Sequence, residues 1–124
     1  MQDIEITGTN KTPSVRFIAA RGLLELKGRS IPENSIDFYK SLLNWTEEYA
    51  ANPQPETVVH VQLEYFNTSS SKCLLDLFKR LEGVNGRVEV HWYYEQDDED
   101  MLEAGEDYEA IIGIPFRMIE IEAP

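Results

Sequence analysis

Asn67-Thr68-Ser69-Ser70-Ser71 places an amide side chain ahead of four consecutive hydroxyls. Two kinds of chemistry suit that run. Asn67 or Thr68 can cap a helix, accepting bonds from backbone amides that the first turn leaves unpaired. A hydroxyl there can also accept a phosphoryl group, because a helix N-terminus tolerates an anion through its amides and dipole. The run lacks the glycine-rich pattern of a nucleotide-binding loop, so it is not read as a phosphate cradle. A second group is His60 and His91, with Glu64 and Glu89 two to four residues away. Two imidazoles and a carboxylate on neighbouring strands could hold zinc, which makes a small metal-binding module or enzyme the alternative reading. Exposed or hydrogen-bonded strand histidines account for the same pattern. Cys73 falls in the first turns of the helix after the hydroxyl run, where a thiol can be activated. No His–Cys–Asp arrangement accompanies it, so helix packing is its expected role. Glu95 to Glu109 holds nine acids in fifteen residues and no cation, leaving 14 acids against 11 Lys and Arg elsewhere. It lacks the Asp-x-Asp-x-Asp-Gly register of a calcium loop. A solvated helix face or a docking surface for a basic partner remains, and its charges are expected to serve partner approach rather than the fold.

A strand must lead into the hydroxyl run and a helix must leave it. Thr57 to Phe66 is the strongest strand pattern, with Val59, Val61, Leu63 and Tyr65 on one face and Val58, His60, Gln62, Glu64 and Phe66 on the other. Apolar residues on both faces predict a central position in the sheet. Leu74, Leu77, Phe78 and Leu81 form the apolar stripe of the helix that follows. Upstream, Ile4 and Ile6 alternate with acids. Val15–Ala20 and Leu23–Lys27 flank Arg21-Gly22, a predicted hairpin turn near a sheet edge. Asn34 or Ser35 starts a helix striped by Phe38, Leu42, Trp45 and Tyr49 and widened by Ile36, Tyr39 and Leu43, and Asn52-Pro53-Gln54-Pro55 ends it. Downstream, Val88–Tyr94 reads as a strand, Met101, Leu102 and Tyr108 as a third helix, and Phe116–Ile121 as a closing strand. In Trp92-Tyr93-Tyr94 at least one ring must leave the core face. The order β-β-β-α-β-α-β-α-β predicts a single-domain α/β fold, a mixed sheet with about three helices packed on it.

Composition narrows the function classes. The 124 residues suit one domain spanning 1–124, with 42% apolar residues for its core. Eleven cations against 23 acids, a net charge of -12, argue against nucleic acid and anionic lipid as partners. No apolar run approaches the ~20 residues of a membrane span. Met1 to Asn10 has neither the basic region nor the apolar core of a signal peptide. The single cysteine suits a reducing cytoplasm, the expected location, and no cofactor is expected.

Four segments carry a resemblance. Ile31-Pro32-Glu33-Asn34, the Leu63-x-Tyr65-x-Asn67-Thr68-Ser69-Ser70-x-Lys72 junction, Trp92-Tyr93-Tyr94, and Asp98-Glu99-Asp100-Met101 followed by Gly105 resemble the SiaC family of bacterial regulatory phosphoproteins, from about Thr12 to Phe116. The resemblance implies a STAS-like fold, similar to anti-sigma-factor antagonists, and a non-catalytic partner-switching role. It implies that a protein kinase phosphorylates Thr68 and a PP2C-type phosphatase reverses this. Asn67, Ser69 and Ser70 then neighbour the phosphosite and contact partners. The unphosphorylated form would bind and activate an effector such as a diguanylate cyclase, raising cyclic di-GMP and favouring biofilm formation. Ser35 departs from the alanine expected after Pro-Glu-Asn. Thr68 should be accessible at or just before the first turn of its helix.

Overall fold

Six strands stand side by side in chain order in the computed structural model, which describes residues 1–122. They are β1 (Ile4–Ile6), β2 (Ser14–Ile18), β3 (Leu23–Ser30), β4 (Glu56–Phe66), β5 (Arg87–Glu95) and β6 (Phe116–Ile121). The β1–β2 and β2–β3 pairs are antiparallel, and β3 to β6 run parallel. Parallel neighbours need crossovers, and three helices supply them: α1 (Ser35–Ala51), α2 (Thr68–Leu81) and α3 (Glu99–Ile111). Each crossover steps one strand in the same direction, so right-handed connection puts all three helices on one face. The mixed sheet with three helices and the central place of β4 agree with expectation. The β2–β3 hairpin closes through a short 3-10 turn at Ala19–Arg21 and Gly22, whose φ of 58° is left-handed backbone.

The core lies between sheet and helices. Phe17, Leu24, Leu26, Val59, Val61, Val90 and Trp92 meet Leu42, Tyr49, Leu74, Leu77, Phe78 and Leu81, all at 0% exposure. The four apolar residues read as the α2 stripe are therefore all inside. Glu25, Lys27, His60, Gln62, Glu89, His91 and Tyr93 lie on the opposite, helix-free face and are half-buried or exposed.

Two expectations need correction. Ile36 does not widen the α1 stripe; it is 77% exposed, and the α1 positions that turn inward are Ser35, Tyr39, Leu42, Trp45, Thr46 and Tyr49. Tyr65 and Phe66 exchange faces. Gly28 pairs with Leu63 but Arg29 with Tyr65, so Glu64 is an extra residue in β4. One extra residue inverts the inside–outside alternation. Phe66 thus turns inward, edge-on to Trp92 with ring centroids 6.0 Å apart, and Tyr65 is left 54% exposed beside the hydroxyl run.

Candidate functional site

The hydroxyl run forms the first turn of α2, directly behind the carboxyl end of β4. Asn67 has extended backbone and caps the helix: its Oδ1 accepts from the Ser70 amide at 2.9 Å and from the Ser69 hydroxyl at 3.2 Å. Asn67, rather than Thr68, therefore fills the capping role.

The hydroxyls differ in what holds them. Ser70 is fully buried; its Oγ donates to the Ser30 carbonyl at 3.0 Å and accepts from the Ser30 hydroxyl at 2.9 Å. Ser30 is in turn 2.7 Å from the Tyr39 hydroxyl, and burial pushes the Tyr39 pKa up to about 12. Ser69 is exposed, but its Oγ is 2.7 Å from Ser35 Oγ. Ser71 is half-buried against α3. The Tyr108 hydroxyl donates to the Ser71 carbonyl at 2.8 Å and lies 3.0 Å from Ser71 Oγ. Burial raises the Tyr108 pKa, so this tyrosine stays a donor near neutrality. Thr68 is exposed as the first residue of α2, and its hydroxyl enters none of these bonds. The expected placement of Thr68 is met.

Sequence reading missed the partners that fix this turn: Ser30 from β3, Ser35 and Tyr39 from α1, and Tyr108 from α3. The available signal was Ser30 itself, a small polar residue ending a strand whose inward positions are otherwise apolar. Together these side chains anchor Ser69, Ser70 and Ser71 to three other elements while Thr68 faces solvent.

The other candidates lie elsewhere. His60 and His91 are neighbours across β4 and β5 on the helix-free face, with ring centroids 5.0 Å apart and edge-on. Their nitrogens do not converge: His60 Nδ1 is 2.9 Å from the Tyr93 hydroxyl, and His91 Nε2 is 2.8 Å from Glu89 Oε1. Glu89 also faces Arg117 at 3.3 Å, while Glu64 sits exposed at the bulge. Among the described residues no group of three or more His, Cys, Asp or Glu side chains could hold a metal ion. Cys73 is buried, and burial followed by the Asp76 charge raises its pKa, so the thiol is packed rather than activated.

The acidic segment corrects another expectation. Asp98 is not there for partner approach alone: its Oδ1 accepts from the Met101 amide at 3.0 Å and caps α3. Glu99 and Asp100 lie in the first turn, where negative charge favours the helix dipole. Gly105 lets α3 cross the Trp92 ring, whose Nε1 donates to the Met101 carbonyl at 2.9 Å. Part of this acidic run therefore builds the fold.

Helices cover one face of the sheet only, and the exposed Thr68 hydroxyl stands on a helix start whose neighbouring serines are anchored to other elements. The model of the SiaC family regulatory phosphoproteins matches residues 6–121. An uncharacterized protein of Pseudomonas aeruginosa (strain UCBPP-PA14) is 33% identical over 121 residues, 95% of this chain and 96% of that protein. The solved structure of SiaC of Pseudomonas aeruginosa superposes with a TM-score of 0.89 at 29% identity, covering 98% of this chain and all of that one. A chain from the crystal structure of the diguanylate cyclase SiaD in complex with its activator SiaC, from the same organism, gives 0.90 at 30% identity over 96% of this chain. The chain belongs to the SiaC family of regulatory phosphoproteins. Among the described residues no helix is long and apolar enough to cross a membrane.

Proposed function

We propose that this protein is a non-catalytic partner switch, governed by reversible phosphorylation of Thr68 and acting in the cytoplasm as the single domain 1–124. A protein kinase adds the phosphoryl group and a PP2C-type phosphatase removes it. The unphosphorylated form binds and activates a diguanylate cyclase, as SiaC is the activator of SiaD in the solved complex. One observation carries the choice of residue: in a row of four hydroxyls, Thr68 alone is both exposed and outside the bonds that pin its neighbours. Asn67 and Ser69 border the acceptor and belong to the contact, whereas Ser70, expected there as well, is fully buried against Ser30 and supports the turn from inside.

The physical effect follows from charge. A phosphate adds about 1.5 to 2 negative charges at neutral pH. At the start of α2 the amides and dipole tolerate it, so the fold survives. Under a partner it must be desolvated, at a cost of several kcal/mol without a cationic mate, and each 1.4 kcal/mol is tenfold in affinity. Incubation with the cognate kinase and ATP, followed by peptide mapping and titration with the cyclase, tests the reading. Phosphate on Thr68 with loss of cyclase binding is the expected result. Phosphate confined to Ser69–Ser71, or undiminished binding by protein phosphorylated on Thr68, overturns it.

A further inference from the structure

The two edges of the sheet differ. β1 closes one with three residues, Ile4–Ile6, and so short a strand offers little to pair with. β6 closes the other with six, Phe116–Ile121, and among the described residues no strand lies on its outer side. It carries neither proline nor bulge, two devices that blunt a sheet edge. The Val90 amide donates to the Pro115 carbonyl, and the Gln96 amide to the Ile121 carbonyl. In a parallel ladder these two bonds fix the phase. The amides and carbonyls of Arg117, Ile119 and Ile121 turn to β5, and those of Phe116, Met118 and Glu120 turn outward.

The side chains beside this open backbone are unevenly charged. Met118 pairs with the buried Trp92, so Met118 and Glu120 lie on the helix side of the sheet. Above them, Leu102, Glu106 and Glu109 share one face of α3 at i, i+4 and i+7. Ala104, Tyr108 and Ile111 turn towards α2, so that face points the other way, over the edge of β6. Glu106, Glu109 and Glu120 are all exposed. On the helix-free side stand Arg117, held 3.3 Å from Glu89, and the half-buried Ile119 and Ile121.

We propose that the outer edge of β6 accepts an extended segment of a partner protein as an added strand, one that alternates Lys or Arg with apolar residues. This goes beyond the partner-switch reading and does not depend on the role of Thr68. Outward amides and carbonyls at alternate residues supply the main-chain bonding of strand addition. The alternation follows from the pleat. Side chains on the helix side of the added strand meet Glu106, Glu109 and Glu120, and those on the other side lie beside Ile119 and Ile121. Charge argues against a second copy as the occupant. Its β6 would bring another Glu106, Glu109 and Glu120 against the same carboxylates, on a chain of net charge -12. A basic strand replaces that repulsion with attraction.

Two synthetic peptides of about eight residues are the probes, one alternating lysine with valine and the other glutamate with valine. Each is added to the full 15N-labelled chain, and amide hydrogen exchange is read residue by residue. The lysine peptide should slow exchange at Met118 and Glu120 at least about tenfold, because these are the amides it newly bonds. Arg117 and Ile119, already bonded to β5, should change little. The glutamate peptide should give no protection at the same concentration. Glu120→Pro should weaken the lysine peptide at least about tenfold; it deletes an outward N–H that β5 does not use, so the ladder survives. Glu106→Lys with Glu109→Lys keeps the test alive if the proline variant fails to fold, and should invert the preference between the peptides. No protection at Met118 and Glu120, equal protection by both peptides, or undiminished binding by folded Glu120→Pro overturns the proposal. So does protection of those amides in the peptide-free chain that grows with protein concentration, because the occupant is then a second copy.

Discussion

Ser35 Oγ lies 2.7 Å from Ser69 Oγ, bridging the first turn of α1 to the first turn of α2. Ser35 is 3% exposed and also reaches Ser70 Oγ at 3.3 Å. Ser35 is therefore the residue that ties Ser69 to α1. Ser35→Ala should cost about 1 kcal/mol, the net worth of a typical hydrogen bond. It should also free Ser69 for modification. Urea unfolding reads the first effect and phosphopeptide mapping of the variant reads the second. Unchanged stability with no new phosphate on Ser69 would show that the bridge holds nothing.

Neighbouring positions at the junction should respond in opposite ways. Asn67 supplies the cap oxygen of α2, so Asn67→Ala should lose about 1 kcal/mol of stability. Thr68 is exposed and uninvolved, so Thr68→Ala should stay within ~0.5 kcal/mol while removing the phosphate acceptor. Thermal unfolding of the two variants side by side distinguishes cap from switch. A larger loss at Thr68 than at Asn67 would reverse the assignment.

Gly105 is needed for a steric reason. A Cβ there would stand 2.5 Å from Trp92 Cδ1 and 2.7 Å from its Nε1, and the ring is fully buried. Alanine would gain up to ~1 kcal/mol in helix propensity. It would also wedge α3 off β5, an overpacking cost of about 1–3 kcal/mol. Net destabilisation is expected, with a shift in Trp92 fluorescence as its indole leaves the Met101 carbonyl. A stabilised variant with unchanged emission would mean that α3 gives way freely.

What the sequence disclosed, and what it hid, follows from the range of the forces involved. The α2 stripe was legible because Leu74, Leu77, Phe78 and Leu81 repeat with the helix and have one place to go, against the sheet. The start of α2 was legible because an amide and hydroxyl run between strand and helix is a local capping signal. The bulge was not: Glu64 looks like any alternating polar residue, and only its pairing across to β3 shows that it is extra. That single residue moved Tyr65 out and Phe66 in. Ile36 misled for a similar reason, since an apolar residue at the start of a helix can lie beyond the edge of what the helix covers. The Ser30–Ser70 and Ser35–Ser69 bonds span 40 and 34 residues of chain and leave no periodic trace.

The acidic segment divides into structural and steering charges. Asp98 caps α3, so Asp98→Ala should cost about 1 kcal/mol, and Asp98→Asn, which can still accept from the Met101 amide, should cost much less. Glu103→Lys with Asp107→Lys reverses two exposed charges one turn apart on α3, beyond its cap and first turn. Stability should change little, and association with a basic partner should slow, with the difference fading at high salt as the Debye length shrinks to ~3 Å. Equal association rates at low salt would remove the steering role.

The helix-free face should make stability depend on pH. Burial, then the neighbouring His91, holds the His60 pKa below its ordinary 6.5; Glu25 opposes this and Lys27 adds to it. Tyr93, whose hydroxyl meets His60 Nδ1, has its own pKa raised by burial and stays neutral there. Between the lowered folded value and 6.5 the unfolded chain carries a proton on this residue that the folded chain does not. Stability therefore rises with pH across that window and falls as the solution is acidified below about 6.5. Glu89 acts in a lower range. The bond from His91 depresses its pKa below 4.5, and its contribution is present above that value and lost as pH falls through the folded pKa. His60→Asn keeps a polar atom facing Tyr93 but cannot titrate, so it should flatten the slope just below pH 6.5 and leave the steeper acid limb intact. Urea midpoints of both proteins at several pH values measure this directly. Parallel curves would show that His60 titrates alike in the folded and unfolded chain.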